Sequence, residues 1–139
     1  MQIRPFHPDD QEAVVALWQR CELTRPWNDP YKDIARKLQV QPELFVVGER
    51  DGQIIASVMA GYEGHRGWVN YLAVCPSQRK QGLARQLMTY IETQMLALGC
   101  PKLSLLVRDS NTQALAFYER LGYRVDASVS LGKRLISDE

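Results

Sequence analysis

The sequence predicts an α/β domain of the mixed α+β kind. It has a central, mostly antiparallel sheet of about 6–7 strands with one parallel pair, flanked by about four helices. Three observations carry this. Helical spacing over Asp9–Cys21, Gly82–Leu98 and Asn111–Leu121 alternates with short β-rich runs. A three-strand meander precedes a strand–helix–strand unit. The 139 residues are one domain's length of chain, so residues 1–139 are expected to form a single domain.

From the N-terminus, Gln2–Phe6 alternates weakly and reads as a short first strand. Val14, Leu17, Trp18 and Cys21 recur at helical spacing, which predicts a helix over Asp9–Cys21 started by Pro8, Asp9 and Asp10. Pro26 and Pro30 interrupt the chain after it, because proline does not continue a helix. Tyr31–Val40 reads as a second, shorter helix on Ile34, Lys37 and Leu38. Leu44–Glu49 and Gln53–Tyr62 read as strands around Asp51-Gly52, a tight-turn pair in which glycine supplies the positive φ. Glu63-Gly64-His65-Arg66-Gly67 is the next turn, and Trp68–Val74 the next strand. Cys75–Gln81 is a loop containing Pro76.

Gly82–Leu98 is the clearest helix. Leu83, Leu87, Ile91, Met95 and Leu98 form one apolar stripe, with Gly99 and Pro101 to end it. Leu103–Val107 reads as a buried strand. Asn111–Leu121 is a helix that Ser110 or Asn111 can cap and Gly122 ends. Tyr123–Asp126 and Val129–Leu135 are the last strands expected. Trp68–Val74 and Leu103–Val107 should be parallel neighbours, joined by the Gly82–Leu98 crossover.

Composition narrows the function. A hydrophobic share of 45% and a charged share of 24% suit a globular protein. A net charge of +1 gives no overall field towards nucleic acid or a membrane, and neither partner is expected. Three cysteines without a CxxC pair argue against a disulfide framework or a metal site. The N-terminal residues lack the apolar core of a signal peptide, and no apolar run reaches the roughly 20 residues of a membrane span. A cytoplasmic location is expected, and free thiols suit it.

The informative stretch runs from Leu72-Ala73-Val74, through a basic loop, into the helix at Gly82. The first N–H groups of a helix lack intrahelical partners and sit at the positive end of its dipole. Here Arg79, Lys80 and Arg85 crowd that end, with no carboxylate between Val74 and Tyr90. Positive side chains there are mutually unfavourable by about a few tenths of a kcal/mol each. A phosphate or pyrophosphate would offset them, and the small Gly82 and Ala84 let a ligand approach the backbone. A P-loop would need Gly-Lys-Ser/Thr, and a dinucleotide fingerprint three spaced glycines; neither is present. The alternative is a solvated basic loop that binds nothing.

Arg79-Lys80-Gln81-Gly82-Leu83-Ala84 resembles the Q/R-x-x-G-x-G/A motif of the GNAT superfamily of N-acetyltransferases. Downstream, Asn111-Thr112-Gln113-Ala114-Leu115-Ala116-Phe117-Tyr118-Glu119-Arg120-Leu121-Gly122-Tyr123 is similar to the family's N-x-x-A-x-x-F-Y-x-x-x-G-F/Y. The motifs fall in the family's order, and the element order fits over nearly the whole chain. The stretches Arg25–Pro30 and Ser130–Leu135 also resemble small bacterial acetyltransferases of the YpeA type.

The resemblance implies a GNAT-like fold whose parallel strands splay around the pantetheine arm of acetyl-CoA, the cosubstrate, with no metal. It implies that Leu72, Ala73 and Val74 offer backbone groups to that arm, and that the N–H groups of Arg79, Lys80, Gln81, Gly82, Leu83 and Ala84 hold the pyrophosphate. Asn111 would contact the arm from the other side, and Tyr118 would also lie against the cofactor. The chemistry implied is direct attack of a primary amine on the thioester in a ternary complex. A strand N–H near Leu72–Ala73 would meet the developing oxyanion, and Tyr118 would protonate the departing thiolate.

Relatives that acetylate ribosomal-protein N-termini carry a Glu just before the position of Val107-Arg108; here Leu105-Leu106 stands there. Glu63 and His65 are then the candidate bases, or simply a polar turn. Trp27, Asn28 and Asp29 lie where the family builds its acceptor wall, and Tyr71 lies near the acyl site. An aromatic face and a carboxylate both suit a cationic amine, a small molecule or a protein. The other readings are a non-catalytic acyl-CoA-binding sensor of the same fold and a nucleotide-phosphate binder. Family members often dimerise through late strands, which makes Val129–Leu135 a candidate homodimer interface.

Overall fold

The computed structural model describes residues 1–139. They form two compact units, Met1–Leu105 with Asp138–Glu139, and Leu106–Ser137.

The first unit is built on a five-stranded sheet in the order β1-β2-β3-β4-β5. The strands are β1 (Gln2–Pro5), β2 (Phe45–Arg50), β3 (Gln53–Tyr62), β4 (Gly67–Val74) and β5 (Leu103–Leu105). The first four are antiparallel neighbours, and β4 pairs with β5 in parallel. Three helices complete the unit: α1 (Gln11–Arg20), α2 (Pro30–Lys37) and the crossover α3 (Leu83–Ala97).

α1 and α3 bury most of the stripe their spacing defines, but Cys21 is half-buried and Leu98, past the end of α3, is exposed. α1 buries Val14, Val15, Leu17 and Trp18, and α3 buries Leu83, Leu87, Met88, Ile91 and Met95. Burying a leucine or valine contributes about 1.5–3 kcal/mol. Ring stacking ties α1 to the sheet: Trp18 lies 6.1 Å from Phe45 and 3.7 Å from Tyr71 between centroids, and Phe6 stacks on Phe45 at 4.4 Å. Gly67 lets β5 and its flanking loop come close, since a Cβ there would lie 2.8 Å from Cys100 Sγ.

The second unit, Leu106–Ser137, contains one regular element, α4 (Thr112–Arg120), capped by Asn111. The expected strands Tyr123–Asp126 and Val129–Leu135 do not form, and Leu103–Val107 is a strand only to Leu105. The sheet therefore has five strands rather than about 6–7. Val129 and Leu131 are 85% and 93% exposed, so the burial that turns β-propensity into a strand is missing.

Candidate functional site

The site starts at an irregularity in β4. Met59 pairs with Asn70 and Ser57 with Ala73, so Tyr71 and Leu72 stand opposite Val58 alone. This is a β-bulge, and Tyr71 takes the left-handed φ of 53° inside it. A non-glycine residue holds such a backbone only where its surroundings impose it. Here they do. Buried Ser57 donates its hydroxyl to Tyr71 O at 3.0 Å and accepts Trp18 Nε1–H at 2.9 Å, while the Tyr71 ring lies on Trp18.

Beyond the bulge, β4 offers an edge. Parallel pairing with β5 stops at Val69 opposite Leu105, so residues 70–74 have no β5 partner. Ala73 faces Ser57, and the Cys75 N–H bonds Ile55 O at 2.7 Å, so both turn their peptide groups to β3. Val74 is one step out of phase. Its carbonyl points to the other side, where Arg79 Nε donates at 3.2 Å and Cys21 Sγ at 3.4 Å.

The chain then enters the loop and α3. Lys80 and Gly82 both have left-handed φ values, 64° and 76°. Gly82 is the N-cap, has no side chain to bond the helix, and accepts the Gln86 N–H at 3.1 Å. The N–H groups of Leu83, Ala84 and Arg85 come before that first helical bond. No acidic residue lies in the first turn. A Cβ built on Gly82 would meet nothing within 4 Å, so the backbone is open to a ligand. Uncapped donors, an open approach and nearby exposed cations fit a pyrophosphate.

A second cluster meets the bulge from α2. Tyr71 Oη donates to Asp33 Oδ2 at 2.6 Å, and Asn28 Nδ2 donates to Tyr71 Oη at 3.2 Å and also to Asp33 Oδ2. Burial, then the Asp33 carboxylate, pushes the Tyr71 phenol far above its ordinary value. Asp29 caps α2 by accepting the Tyr31 N–H at 2.9 Å. Its own N–H donates to Asp138 Oδ2 at 2.8 Å, and Arg36 Nη2 donates to Asp138 Oδ1 at 2.6 Å. Trp27 is 55% exposed beside them. Of the four substrate-binding residues expected from sequence, Asn28 and Tyr71 are in direct contact, and Asp29 is the next residue after Asn28. Asp33 and Asp138 are additions that sequence reading missed.

Glu63 and His65 sit elsewhere. Glu63 Oε1 accepts the His65 N–H at 3.0 Å and also the Arg66 N–H, so the carboxylate closes its own exposed turn. At about 3.3 Å per residue, that turn lies roughly 16 Å along β4 from Leu72. The structure does not bring these residues to the bulge.

In the second unit, Asn111 accepts the Ala114 N–H at 3.1 Å as the cap of α4. Tyr118 is half-buried, edge-on to Phe117 at 5.0 Å and to Tyr123 at 5.7 Å. Burial pushes its phenol up to about 12.

Comparison with known proteins adds to this geometry. The sequence profile of the acetyltransferase (GNAT) family matches residues 12–123. An acetyltransferase of Pectobacterium atrosepticum is 51% identical over 138 residues, covering 99% of this chain and 98% of that protein. Among solved structures, Ard1 from Thermoplasma volcanium aligns with a TM-score of 0.79 at 25% identity, over 91% of this chain and 84% of that one. The ribosomal-protein-S18-alanine N-acetyltransferase from Escherichia coli aligns with a TM-score of 0.72 at 26% identity, over 87% of this chain and 76% of that one.

Proposed function

Because the chain belongs to the acetyltransferase (GNAT) family and is an acyltransferase, we propose that it moves an acetyl group from acetyl-CoA to a primary amine by direct attack, with donor and acceptor bound together. The observation that carries this reading is the uncapped start of α3 behind the open backbone of Gly82, a few residues after the β4 edge that β5 leaves at Val69.

Bound acetyl-CoA supplies an acyl group activated as a thioester. The backbone donors from Arg79 to Ala84 hold its pyrophosphate. Peptide groups of Leu72 and Val74 line the arm, and the Leu72 N–H meets the charge that develops on the acyl oxygen; Ala73, expected there too, turns its own peptide groups to β3. Asn111 is proposed as a further contact to the arm. Trp27, Asn28, Asp29 and Tyr71 form the acceptor wall, and the carboxylates of Asp29 and Asp33 favour an acceptor carrying an amine.

The nucleophile has to be the neutral amine, since an ammonium has no lone pair. Tyr118 is the proposed donor to the departing sulfur. With its pKa at about 12 it stays protonated at neutral pH. Against a free thiol near 8.5, it stabilises the leaving thiolate by a hydrogen bond more readily than by full proton transfer.

The test is thiol release from acetyl-CoA with a panel of amino acids, polyamines, aminoglycosides and peptides. Release that depends on one amine class, with the acetylated amine found by mass spectrometry, supports the proposal. Tight acetyl-CoA binding with no turnover on any amine would favour the acyl-CoA sensor instead.

A further inference from the structure

We propose that Arg50 is a positioning residue for the pyrophosphate loop, holding it in its binding shape from the far side of the β2–β3 hairpin. This inference rests on the reading of that loop as the seat of the pyrophosphate.

Arg50 ends β2, just before the Asp51-Gly52 turn, and neither proposed motif includes it. Its Nη1 donates to Gln78 Oε1 and to Gln81 Oε1, both at 2.9 Å. These glutamines bracket the part of the loop that needs holding. Gln78 ends the short 3-10 turn after β4, and Gln81 stands between the two left-handed residues, Lys80 and Gly82. Left-handed backbone at a lysine costs free energy unless surrounding contacts impose it. Cations crowd the positive end of α3, and Gly82 offers the helix no side-chain cap. The loop's own bonds lie mainly at its start, where Arg79 Nε reaches Val74 O at 3.2 Å and the Gln78 N–H bonds Cys75 O at 2.8 Å. A planar guanidinium reaching both glutamines from a sheet strand supplies a fixed anchor. The backbone donors are then arranged before the anion arrives, which lowers the ordering cost of binding.

The experiment is calorimetric titration of the full chain with CoA and with 3′-dephospho-CoA, which keeps the pyrophosphate but lacks the third phosphate. Arg50→Ala should weaken both about tenfold, within the range seen for neighbours in one hydrogen-bond network. In a Gln78→Met/Gln81→Met background, Arg50→Ala should cost nothing more, because the anchor has lost its acceptors. The ligand-free melting temperature should stay within about 2 °C of the parent, as for a half-buried change outside the apolar core. Equal binding by wild type and Arg50→Ala overturns the proposal. So does a loss seen with CoA but not with 3′-dephospho-CoA, since Arg50 would then touch the 3′-phosphate itself. An undiminished loss in the double-glutamine background also overturns it. Failure of folded wild type to bind either ligand is a different result: it removes the acetyl-CoA reading and this inference with it.

Discussion

The Ser57 hydroxyl donates a 3.0 Å hydrogen bond to the carbonyl of Tyr71, the residue whose left-handed φ of 53° marks the bulge in β4. Ser57 is fully buried, and its oxygen also accepts Trp18 Nε1–H at 2.9 Å. One small hydroxyl thus ties α1, β3 and the irregular part of β4 together. The Leu72 N–H proposed to meet the acyl oxygen belongs to that bulge.

Ser57→Ala leaves a buried indole N–H and a part-buried carbonyl without their partner. An unsatisfied buried polar group costs about 1–3 kcal/mol, and urea denaturation should show a loss of that size. The variant should also turn over more slowly at saturating acetyl-CoA. Stability and turnover both at wild-type level would mean that the bulge is fixed by something else.

Tyr118→Phe should lower kcat by about 10–1000-fold, below the roughly 100–10,000-fold of full acid catalysis because the phenol supplies chiefly a hydrogen bond. Burial raises the phenol pKa to about 12, so the proton is present throughout the working range. No alkaline decline in wild-type activity should trace to Tyr118 until pH approaches 12. Measuring kcat against pH for both proteins checks this. An unchanged kcat removes Tyr118 from the chemistry.

Asp138→Ala should act on the acceptor and not on the donor. The Asp138 carboxylate is only 2% exposed, takes the Asp29 N–H and pairs with Arg36. Its loss frees the start of α2, where Asn28 and Asp29 stand. The KM for the amine should rise by up to about tenfold, because small misplacements of positioning groups are costly, while the Kd for CoA stays the same. A shift in CoA affinity with no change in the amine KM would contradict this placement.

Asp10 should govern part of the acid sensitivity. Arg4 donates to both its oxygens, at 2.8 and 3.0 Å, and the His7 N–H adds a bond at 2.8 Å. Chiefly through the Arg4 bonds, the folded-state pKa lies below the ordinary carboxylate value. The stabilisation is therefore full above the unfolded value of about 3.9. It is lost as pH falls through the lower folded value. Asp10→Asn should cost about 1.5–3 kcal/mol at pH 7, the range for a hydrogen bond to a charged group. It should also flatten the fall in stability below about pH 4. Parallel acid limbs for wild type and variant would refute the assignment.

The elements legible in the sequence were those with a long periodic signal and a clear stop. β3 spans Gln53–Tyr62 as expected, and α3 begins and ends one residue inside Gly82–Leu98, where an apolar stripe meets Gly99. The late strands misled because Val129, Leu131 and Leu135 fall in phase on a two-residue alternation, which satisfies β-propensity locally, yet they find no buried face. Asp33 and Arg50 were invisible for another reason. The bonds from Tyr71 to Asp33 and from Arg50 to Gln81 span 38 and 31 residues, and nothing next to either residue marks it. The Asn28–Tyr71 contact could be anticipated only as membership of one substrate site, not as a hydrogen bond.

The most direct measurement is acetyl-CoA binding by calorimetry, comparing wild type with Gly82→Glu, both shown to be folded. A side chain at Gly82 is strained by the φ of 76°, and a carboxylate there would occupy the open space and repel the pyrophosphate. Wild type should bind tightly and the variant not at all. Binding that survives Gly82→Glu, or a folded wild type that does not bind, would contradict the placement of the pyrophosphate.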